Sequence, residues 1–385
     1  MITRDISDIT IRAFREYPII LIQGPRQSGK TTLARNLFPD KKYITLEDID
    51  SRTYASEDPK GFLSTIPEGA ILDEVQHVPS LMSYIQGIID EKNTPGMFVL
   101  TGSNNLLLME AVSQTLSGRI AILTLLPLSI KEEASFADSW STEKIIISGF
   151  YPRLITWDMD RPYFYSNYIS TYVERDVRQV LKIRNIDGFQ RFLTAIAERT
   201  GNILDINAIA NDSGVTSKTV SEWLSILQTS YICFLLHPYE KTRTKRLTKK
   251  PKLYFYDTGL AAALLGISTE EELRDNRLKG ALFENMVIAD LIKSSLNRAA
   301  QERFMFYRTS DGFEIDLIIQ RGRMLYPVEI KAGQTFSTKW TAGINLFMRE
   351  YPDEAQNGTI IYGGADDGAF KGISIKGYRK FLSMQ

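Results

Sequence analysis

The sequence predicts an α/β protein of two or three domains. Its length of 385 residues exceeds what one hydrophobic core usually serves. In roughly the first 150 residues, short apolar segments alternate with helical patterns, and the same alternation returns after about residue 278. The periodicity between these two regions is helical. We therefore predict three domains, at 1–150, 151–265 and 266–385.

The composition is that of a globular protein without a dominant charge. Apolar residues make up 43% and charged residues 24%, and 46 Lys and Arg balance 46 Asp and Glu. Any nucleic-acid site must therefore be a local basic patch. The single cysteine, Cys233, excludes an intrachain disulfide, and two histidines are too few for a His-rich metal site. No segment resembles a secretory signal or a membrane span, so we expect a cytoplasmic protein without membrane contact.

Five short apolar segments in the first region are predicted strands. Helical stretches lie between them, and this alternation favours a parallel sheet, whose strand order does not follow from the sequence. The segments are PIILIQ (18–23), KYITLE (42–47), AILDE (70–74), MFVLTG (97–102) and IAILTL (120–125).

The segment GPRQSGKT (24–31) fits the phosphate-binding pattern G-x-x-x-x-G-K-[ST]. It follows a predicted strand and opens a predicted helix, a context that a chance glycine-rich turn does not explain. Gly24 and Gly29 let backbone N–H groups curl around phosphates, and the helix dipole favours the anion. Lys30 is expected to reach the β- and γ-phosphates, and Thr31 to bind Mg²⁺. The residues expected to bind ATP here are Gly24, Pro25, Arg26, Gln27, Ser28, Gly29, Lys30, Thr31 and Thr32.

Two carboxylates end the predicted strand AILDE. We expect Asp73 to hold Mg²⁺ through water, and Glu74 to orient and deprotonate the attacking water. The alternative is a strand that simply ends in acidic residues. A further predicted strand lies between the phosphate loop and these carboxylates. With Glu directly after Asp, the arrangement resembles the AAA+ branch of P-loop ATPases.

Polar residues downstream are candidates for contacting the γ-phosphate. Ser103 and Asn104 follow a buried predicted strand, as the first sensor of AAA+ proteins does, although an ordinary turn would look the same. Arg119 is expected to contact the γ-phosphate in cis or, in a homo-oligomer, in trans as an arginine finger. A surface arginine is the alternative.

The segment 196–227 predicts the two packed helices of a helix-turn-helix. Ala210, Gly214 and Val220 have the small–Gly–apolar spacing of that motif. The second helix is expected to begin at Thr216 or Ser217. Further apolar positions for packing the helices, and the strand expected to close a wing behind them, are Ile209, Val215, Trp223 and KLYFYD (252–257).

A basic stretch follows these helices. Seven of the 12 residues at 241–252 are Lys or Arg and none is acidic. We expect Lys218 and this stretch to contact DNA, mostly through phosphates and without sequence-specific readout. Glu222 opposes Lys218, and the alternative is a winged helix used for interdomain contact beside a solvated basic loop.

Residues 312–333, GFEIDLIIQRGRMLYPVEIKAG, predict a β-hairpin. Gly322 suits the first position of a type II′ turn, which would pair Arg321 with Met324. Counting along this register predicts one apolar, core-forming face. That face would contain Ile315, Leu317, Ile319, Tyr326, Val328 and Ile330.

The other face of the predicted hairpin carries opposed charges. The register places Asp316 opposite Glu329 and Glu314 opposite Lys331. Two facing carboxylates are destabilising, and a divalent cation would remove their repulsion. The alternative is an ordinary half-exposed hairpin with a Glu314–Lys331 ion pair and two tolerated acids.

Glu284 on an upstream predicted helix extends this charged set. An acid, then Asp, then E-x-K within an α-β-β-β-α run resembles the PD-(D/E)xK nuclease core. That resemblance implies that Glu284, Asp316 and Glu329 bind Mg²⁺ or Mn²⁺, and that Lys331 positions the attacking water. Ile315 stands where the name motif has Pro.

Taken together, these motifs resemble a large prokaryotic family of predicted AAA+ ATPases. In that family a P-loop domain is fused to a C-terminal domain of unknown function, with a winged helix and a nuclease-like module. The resemblance implies ATP binding and does not supply a substrate. From the motifs together we predict an ATPase whose nucleotide state repositions a winged-helix and nuclease-like C-terminal half that acts on DNA. A nucleotide-dependent switch or binding protein that cuts nothing is the alternative. The other segments that carry the resemblance are LSGRI (116–120), LPLS (126–129), YVERDV (172–177), YDTGL (256–260) and GALFENMV (280–287).

Overall fold

The computed structural model divides into two compact units. The first unit comprises Met1–Pro127, Thr229–Tyr231 and Leu296–Ala299. The second comprises Leu128–Gln228, Ile232–Ser295 and Ala300–Gln385. The residues described are 2–92, 94–103, 112, 114–137, 139–157, 159–174, 185–239, 250–309 and 312–385. Across these ranges, no helix is long and apolar enough to span a membrane.

The first unit is built on a parallel sheet of five strands in the order β2-β3-β4-β1-β5. The prediction of five strands is confirmed, and each lies within its predicted segment. The strands are β1 (Ile19–Gln23), β2 (Tyr43–Thr45), β3 (Ile71–Asp73), β4 (Phe98–Gly102) and β5 (Ile120–Thr124).

Helices cover both faces of this sheet. Alternate residues of β1 belong to two separate apolar clusters, with Ile19 and Leu21 in one and Ile20 and Ile22 in the other. This explains why β1 is apolar without alternation, as expected for a strand buried on both faces. The helices are α1 (Ser7–Glu16), α2 (Lys30–Leu37), α3 (Ile49–Glu57), α4 (Pro59–Ser64) and α5 (Leu81–Lys92), with a 3₁₀ turn at Val75–His77.

The second unit begins with a helical region. Its helices are α6 (Ile130–Ala137), α7 (Thr142–Ser148), α8 (Pro152–Thr156), α9 (Arg161–Tyr168), α10 (Ile186–Ala197), α11 (Ile206–Ser213) and α12 (Ser217–Thr229), with a π-helical turn at Ile169–Glu174. Gly214, at φ 69°, ends α11 in the left-handed conformation that favours glycine. The Thr216 hydroxyl accepts the backbone N–H of Thr219 at 3.1 Å and so caps α12. Of the predicted packing residues, Trp223 is buried and stands edge-on to Phe189.

An eight-stranded sheet completes the second unit, in the order β12-β13-β11-β10-β9-β8-β6-β7. The antiparallel pair β6–β7 joins this sheet through β8, so the middle and C-terminal regions share one sheet. The three-domain division therefore stays a prediction, and its last boundary falls within this unit. The strands are β6 (Cys233–Pro238), β7 (Lys252–Phe255), β8 (Glu302–Arg308), β9 (Glu314–Arg321), β10 (Met324–Lys331), β11 (Thr359–Tyr362), β12 (Gly368–Phe370) and β13 (Ile373–Gly377).

Helices flank this sheet in the predicted order. The run α15-β8-β9-β10-α16 has the expected α-β-β-β-α succession. The helices are α13 (Thr258–Leu264), α14 (Glu270–Arg274), α15 (Lys279–Asn297), α16 (Ala342–Glu350) and α17 (Tyr378–Ser383), with a 3₁₀ turn at Thr338–Thr341.

The hairpin β9–β10 has the predicted register at its turn. Arg321 pairs with Met324, and the pairing continues to Leu317 and Val328. Gly322 has a φ of 60° whereas Arg323 does not have a positive φ, which agrees with a type II′ turn and excludes type I′.

The predicted apolar face of β9 is wrong in one respect. Two residues of β9, Asp316 and Leu317, lie opposite the single residue Phe306 of β8. This bulge interrupts the alternation, so Ile315 packs in the same apolar cluster as Ile318. A bulge cannot be read from an alternating pattern, because it depends on the neighbouring strand.

Candidate functional site

The phosphate loop connects β1 to α2 at the carboxyl end of the sheet. A Cβ atom at Gly24 would lie 2.1 Å from the carbonyl oxygen of Leu125, so only glycine fits there. Gly29 has a φ of 95° at the N-cap of α2, and the Ser28 hydroxyl donates to the Pro25 carbonyl at 3.0 Å. The other loop residues predicted to bind ATP are the half-buried Arg26 and the exposed Gln27 and Thr32.

Lys30 turns back into this loop at the start of α2. Its Nζ atom donates to the carbonyl oxygens of Gly24 at 3.1 Å and Pro25 at 2.8 Å. Burial lowers the pKa of Lys30, while the carboxylates of Glu74 and Asp73 oppose that change. The ammonium group is therefore held inside the loop, where the prediction places the phosphates.

Asp73, at the end of β3, accepts hydrogen bonds from three hydroxyl groups. Thr31 donates to Oδ1 at 2.9 Å and Tyr43 donates to Oδ2 at 2.8 Å. The hydroxyl of Thr101, from β4, donates to the same carboxylate. Burial, followed by the hydrogen bond to Asp73, raises the pKa of Tyr43 to about 12. The structure thus brings Thr31 and Asp73 together.

Glu74 leaves the strand in a left-handed conformation with a φ of 56°, which is uncommon for a residue other than glycine. Its side chain accepts a hydrogen bond from the amide of Gln76. One ligand atom each from Glu47, Glu74 and His77 lie within 4.8 Å of one another. The Glu74 carboxylate is therefore hydrogen-bonded within the turn that follows β3.

The structure places Ser103 and Arg119, two of the residues predicted to contact the γ-phosphate, in different parts of the first unit. Ser103 follows β4 at the same sheet edge as the loop, whereas Asn104 lies outside the described residues. Arg119 precedes β5, which pairs in parallel with β1, so it lies at the amino end of the strands, opposite the phosphate loop at their carboxyl end. The five residues of a strand separate these two ends by roughly 16 Å. Arg119 instead forms an ion pair with Asp90, so the predicted contact in cis is wrong.

A second group of ionisable residues lies where α15 meets β7, β9 and β10. We call Glu284, Glu314, Asp316 and Glu329 the C-terminal carboxylate cluster. Glu284, on α15, accepts hydrogen bonds at Oε1 from Tyr254 and from the Lys252 ammonium at 3.3 Å. Burial and the nearby Asp316 carboxylate raise the pKa of Glu284 to about 7.

Lys331 joins two members of this cluster. Its Nζ atom lies 3.0 Å from Asp316 Oδ2 and 2.7 Å from Glu329 Oε1. The backbone N–H of Ile330 also donates to Asp316, at 2.7 Å. Burial and Asp316 raise the pKa of Glu329 to about 7, and Glu329 Oε2 is buried without a hydrogen-bond partner among the described atoms. The structure therefore brings Asp316, Glu329 and Lys331 together.

Glu314 has different partners from those predicted. It forms ion pairs with Lys252 and with Arg308, the latter at 3.2 Å, and Lys331 turns to the other carboxylates. The alternative Glu314–Lys331 ion pair is therefore wrong. The bulge in β9 shifts Asp316 out of strict alternation, and Asp316 takes the lysine.

The donors of the cluster do not fit a divalent metal ion in this arrangement. Among the described residues, the carboxylate oxygens of Glu284, Asp316 and Glu329 do not all lie within 4.8 Å of one another. The cluster is paired instead with Lys252, Lys331 and Arg308. Although burial lowers it, Glu284 and Glu314 raise the pKa of Lys252 above its usual value.

Family models match three consecutive segments of the chain. An AAA domain matches residues 16–134, a domain of unknown function (DUF8612) matches 139–271, and another (DUF4143) matches 279–380. The chain carries an AAA-type P-loop ATPase domain. Its phosphate loop is the one built from Gly24, Gly29 and Lys30, and a DUF4143 domain follows at the C-terminal end.

Proteins similar to this chain come from several bacteria. An uncharacterized protein of Mycobacterium tuberculosis is 28% identical over 337 residues, which are 86% of this chain and 74% of that protein. An uncharacterized protein of Mycobacterium bovis has the same values. One from Haemophilus influenzae is 23% identical over 306 residues, 71% of this chain and 74% of that protein.

Solved structures are also similar to this chain, and they include proteins of Pyrococcus abyssi and Thermotoga maritima. A Walker-type ATPase of Pyrococcus abyssi is 15% identical, with a TM-score of 0.41, over 69% of this chain and 96% of its own. A RuvB variant of Thermotoga maritima is 20% identical, with a TM-score of 0.30, over 60% of this chain and 86% of its own. The assignment of the AAA domain rests on the family match and the loop.

The predicted DNA-contacting residues differ in exposure. The side chain of Lys218 is 87% exposed and lies 4.0 Å from Glu222. Lys250 is 62% exposed, but Lys252 is only 3% exposed, so the prediction that Lys252 contacts DNA is wrong. Its ammonium belongs to the carboxylate cluster instead. Residues 241–249 of the basic stretch lie outside the described residues.

Sequence reasoning missed several residues that contact these sites. Tyr43 and Thr101 reach Asp73 from the strands on either side of β3, and Tyr254 reaches Glu284 from β7. Only the tertiary structure reveals these contacts, because each partner comes from a different element than the carboxylate it reaches. The sequence does indicate burial of Lys252, since this residue begins the predicted strand KLYFYD (252–257).

Proposed function

We propose that the AAA domain hydrolyses ATP with Lys30, Thr31, Asp73 and Glu74. The observation that carries this proposal is the meeting of the Thr31 hydroxyl with the Asp73 carboxylate at 2.9 Å, beside the loop that holds Lys30. A hydroxyl and a carboxylate are oxygen donors suited to Mg²⁺, and here they fit that ion. When bound, Mg²⁺ supplies charge neutralisation on the phosphates.

Each side chain then has one role. Lys30 exchanges its contacts with the loop carbonyls for the β- and γ-phosphates. Glu74 leaves the Gln76 amide, orients a water molecule and takes its proton. Ser103 lies at the same edge for a contact with the γ-phosphate. Arg119 contributes only in trans, in a homo-oligomer, because it is held at the far edge within its own chain.

We further propose that the second unit acts on DNA and that ATP turnover changes this action. The support is the helix pair α11–α12 followed by the antiparallel pair β6–β7, the succession of a winged helix. Lys218 and the basic stretch up to Lys250 would contact phosphates. Binding should then weaken steeply as the salt concentration rises.

Two roles are open to the nuclease-like run of α15, β8, β9, β10 and α16. In the first, Glu284, Asp316, Glu329 and Lys331 cut a phosphodiester with Mg²⁺ or Mn²⁺. In the second, the same fold recognises DNA and cuts nothing. The pairing of the carboxylates with lysine and arginine favours the second role, since a metal ion would have to compete with these cations.

One set of assays tests these proposals. ATP turnover is measured for the wild type, for Lys30→Ala and for the exposed control Lys60→Ala. We expect Lys30→Ala to lose turnover by about a hundredfold or more and the control to keep it. Full turnover in Lys30→Ala would contradict the ATPase proposal.

The role of the nuclease-like run is tested separately. Plasmid, linear and single-stranded DNA are incubated with Mg²⁺ or Mn²⁺, with and without ATP, beside Asp316→Ala. Retention of intact DNA in every reaction would exclude the first role, and salt-sensitive DNA binding by the same protein would support the second. Cleavage that disappears in Asp316→Ala would establish the first role.

A further inference from the structure

We propose that Lys252 is the resident cation of the C-terminal carboxylate cluster, and that its ammonium group excludes divalent metal ions from this site. The inference rests on the proposed nuclease-like site and explains why that site would recognise DNA without cutting it. It assigns to a residue of the predicted wing a role in the neighbouring module. The mismatch between the cluster and a metal ion then has a specific chemical cause.

Burial is the first support. The Lys252 side chain is 3% exposed, whereas that of Lys250, two residues earlier in the same basic stretch, is 62% exposed. A lysine this deeply buried requires partners for its charge, because an unpaired buried ammonium is strongly unfavourable. Lys252 has those partners in Glu284 at 3.3 Å and in Glu314.

The backbone fixes the ammonium in this place. Lys252 is the first residue of β7 and pairs with Leu236 of β6, and a separate bridge joins it to Ile203. Its Nζ atom also lies 5.5 Å from the centre of the Phe306 ring, the residue opposite the bulge of β9. The side chain therefore extends from a fixed strand into the cluster.

The charges explain the expected effect on metal binding. Each of the four carboxylates of the cluster forms an ion pair with at least one of the three cations Lys252, Lys331 and Arg308. A divalent ion would have to displace the ammonium from Glu284 or lie close to it, and like charges in a buried site repel strongly. Glu329 Oε2 is buried without a hydrogen-bond partner, but among the described residues no set of one oxygen each from Glu284, Asp316 and Glu329 lies within 4.8 Å of one another, so this oxygen does not complete a site for a hard cation.

Binding of Mn²⁺ to the full chain tests this proposal, measured by calorimetry without nucleotide. The variants are Lys252→Met, the exposed control Lys250→Met, Asp316→Asn, and Lys252→Met combined with Asp316→Asn. We expect Lys252→Met to bind Mn²⁺ about tenfold or more tightly than the wild type, and the added Asp316→Asn to abolish the gain. Wild type, Asp316→Asn and Lys250→Met should bind alike.

Two results would overturn the proposal. One is a Mn²⁺ site in the wild type that disappears in Asp316→Asn, because the cluster would then bind the metal ion with Lys252 in place. The other is a folded Lys252→Met protein that binds no better than the wild type. Should Lys252→Met fail to fold, the double variant Lys252→Met, Glu314→Gln is used in its place. This variant removes one carboxylate charge together with the ammonium charge. ATP turnover of the same proteins, compared with Lys30→Ala, shows separately whether the proposed ATPase holds.

Discussion

Two groups of carboxylates in this chain are held by different kinds of donor. Asp73 accepts hydrogen bonds from the hydroxyl groups of Thr31, Tyr43 and Thr101. The C-terminal carboxylate cluster is paired instead with ammonium and guanidinium groups. A hydroxyl group orients a carboxylate and leaves its charge, whereas a cation cancels that charge.

This difference separates two sites that the sequence makes look alike. Both contain an acidic residue at a strand end with a lysine nearby, and both resemble metal-dependent sites. The hydroxyl donors of Asp73 are neutral, so its negative charge stays available to the Mg²⁺ that we propose there. In a buried cluster that carries its own cations, recognition and structure become the better interpretation.

The largest expected effect is on stability. Lys252→Met should lower the free energy of unfolding by about 3–5 kcal/mol, because it leaves buried carboxylates without their cation. Lys250→Met, on an exposed side chain, should change it by less than about 1 kcal/mol. Chemical denaturation measures both. Equal effects of the two variants would remove the distinction between the buried and the exposed lysine.

Asp73→Asn should reduce ATP turnover on the order of a hundredfold, about 2.7 kcal/mol of activation free energy, since the amide cannot supply the charge that Mg²⁺ requires. Nucleotide binding without Mg²⁺ should persist. Steady-state turnover and fluorescent nucleotide binding measure the two quantities. The matched change Asp316→Asn should leave turnover unchanged, and a loss there would make the two sites dependent on each other.

The C-terminal carboxylate cluster should give stability a pH dependence. The pKa values of Glu284 and Glu329 are raised to about 7 in the folded chain, against 4.5 for an ordinary glutamate. The protonated carboxyls therefore stabilise the fold fully below pH 4.5, and this contribution is lost as the pH rises through 7. The slope is at most about 1.4 kcal/mol per pH unit for each group. Denaturation between those values should show a smaller slope in Glu329→Gln.

The smallest effect is expected at Tyr43. Tyr43→Phe removes one of the hydroxyl groups on Asp73 and leaves Thr31 in place, so turnover should fall by about tenfold or less. A rise in the Mg²⁺ concentration required for half-maximal turnover would show that Tyr43 orients the carboxylate. No change in that Mg²⁺ concentration would show that the hydroxyl groups of Thr31 and Thr101 orient Asp73 without Tyr43.

Some features of the fold could be predicted because they depend on neighbours in sequence. The phosphate loop needs Gly24 and Gly29 at fixed spacing, and the five strands follow from short apolar segments. The turn at Gly322 set the register from Arg321–Met324 to Leu317–Val328 correctly. The helix pair around Gly214 likewise follows from caps and spacing.

Other features depend on which strands become neighbours, and the sequence does not state this. Arg119 is a candidate for the γ-phosphate from the sequence, yet the parallel pairing of β5 with β1 puts it at the end of the strands opposite the phosphate loop. The bulge that interrupts β9 depends on β8. Tyr43 reaches Asp73 only because β2 adjoins β3.

By itself, the sequence determined the chemistry available: a phosphate loop, paired carboxylates at Asp73 and Glu74, and the acid–Asp–Glu-x-Lys set of the hairpin. The tertiary structure alone decided what neutralises each carboxylate. Local spacing fixes backbone turns and the register of a hairpin next to its turn, because those depend on residues a few positions apart. The partner of a buried charge is whatever side chain the packing brings within a few ångströms. For Glu284 that partner is Lys252, 32 positions earlier in the chain.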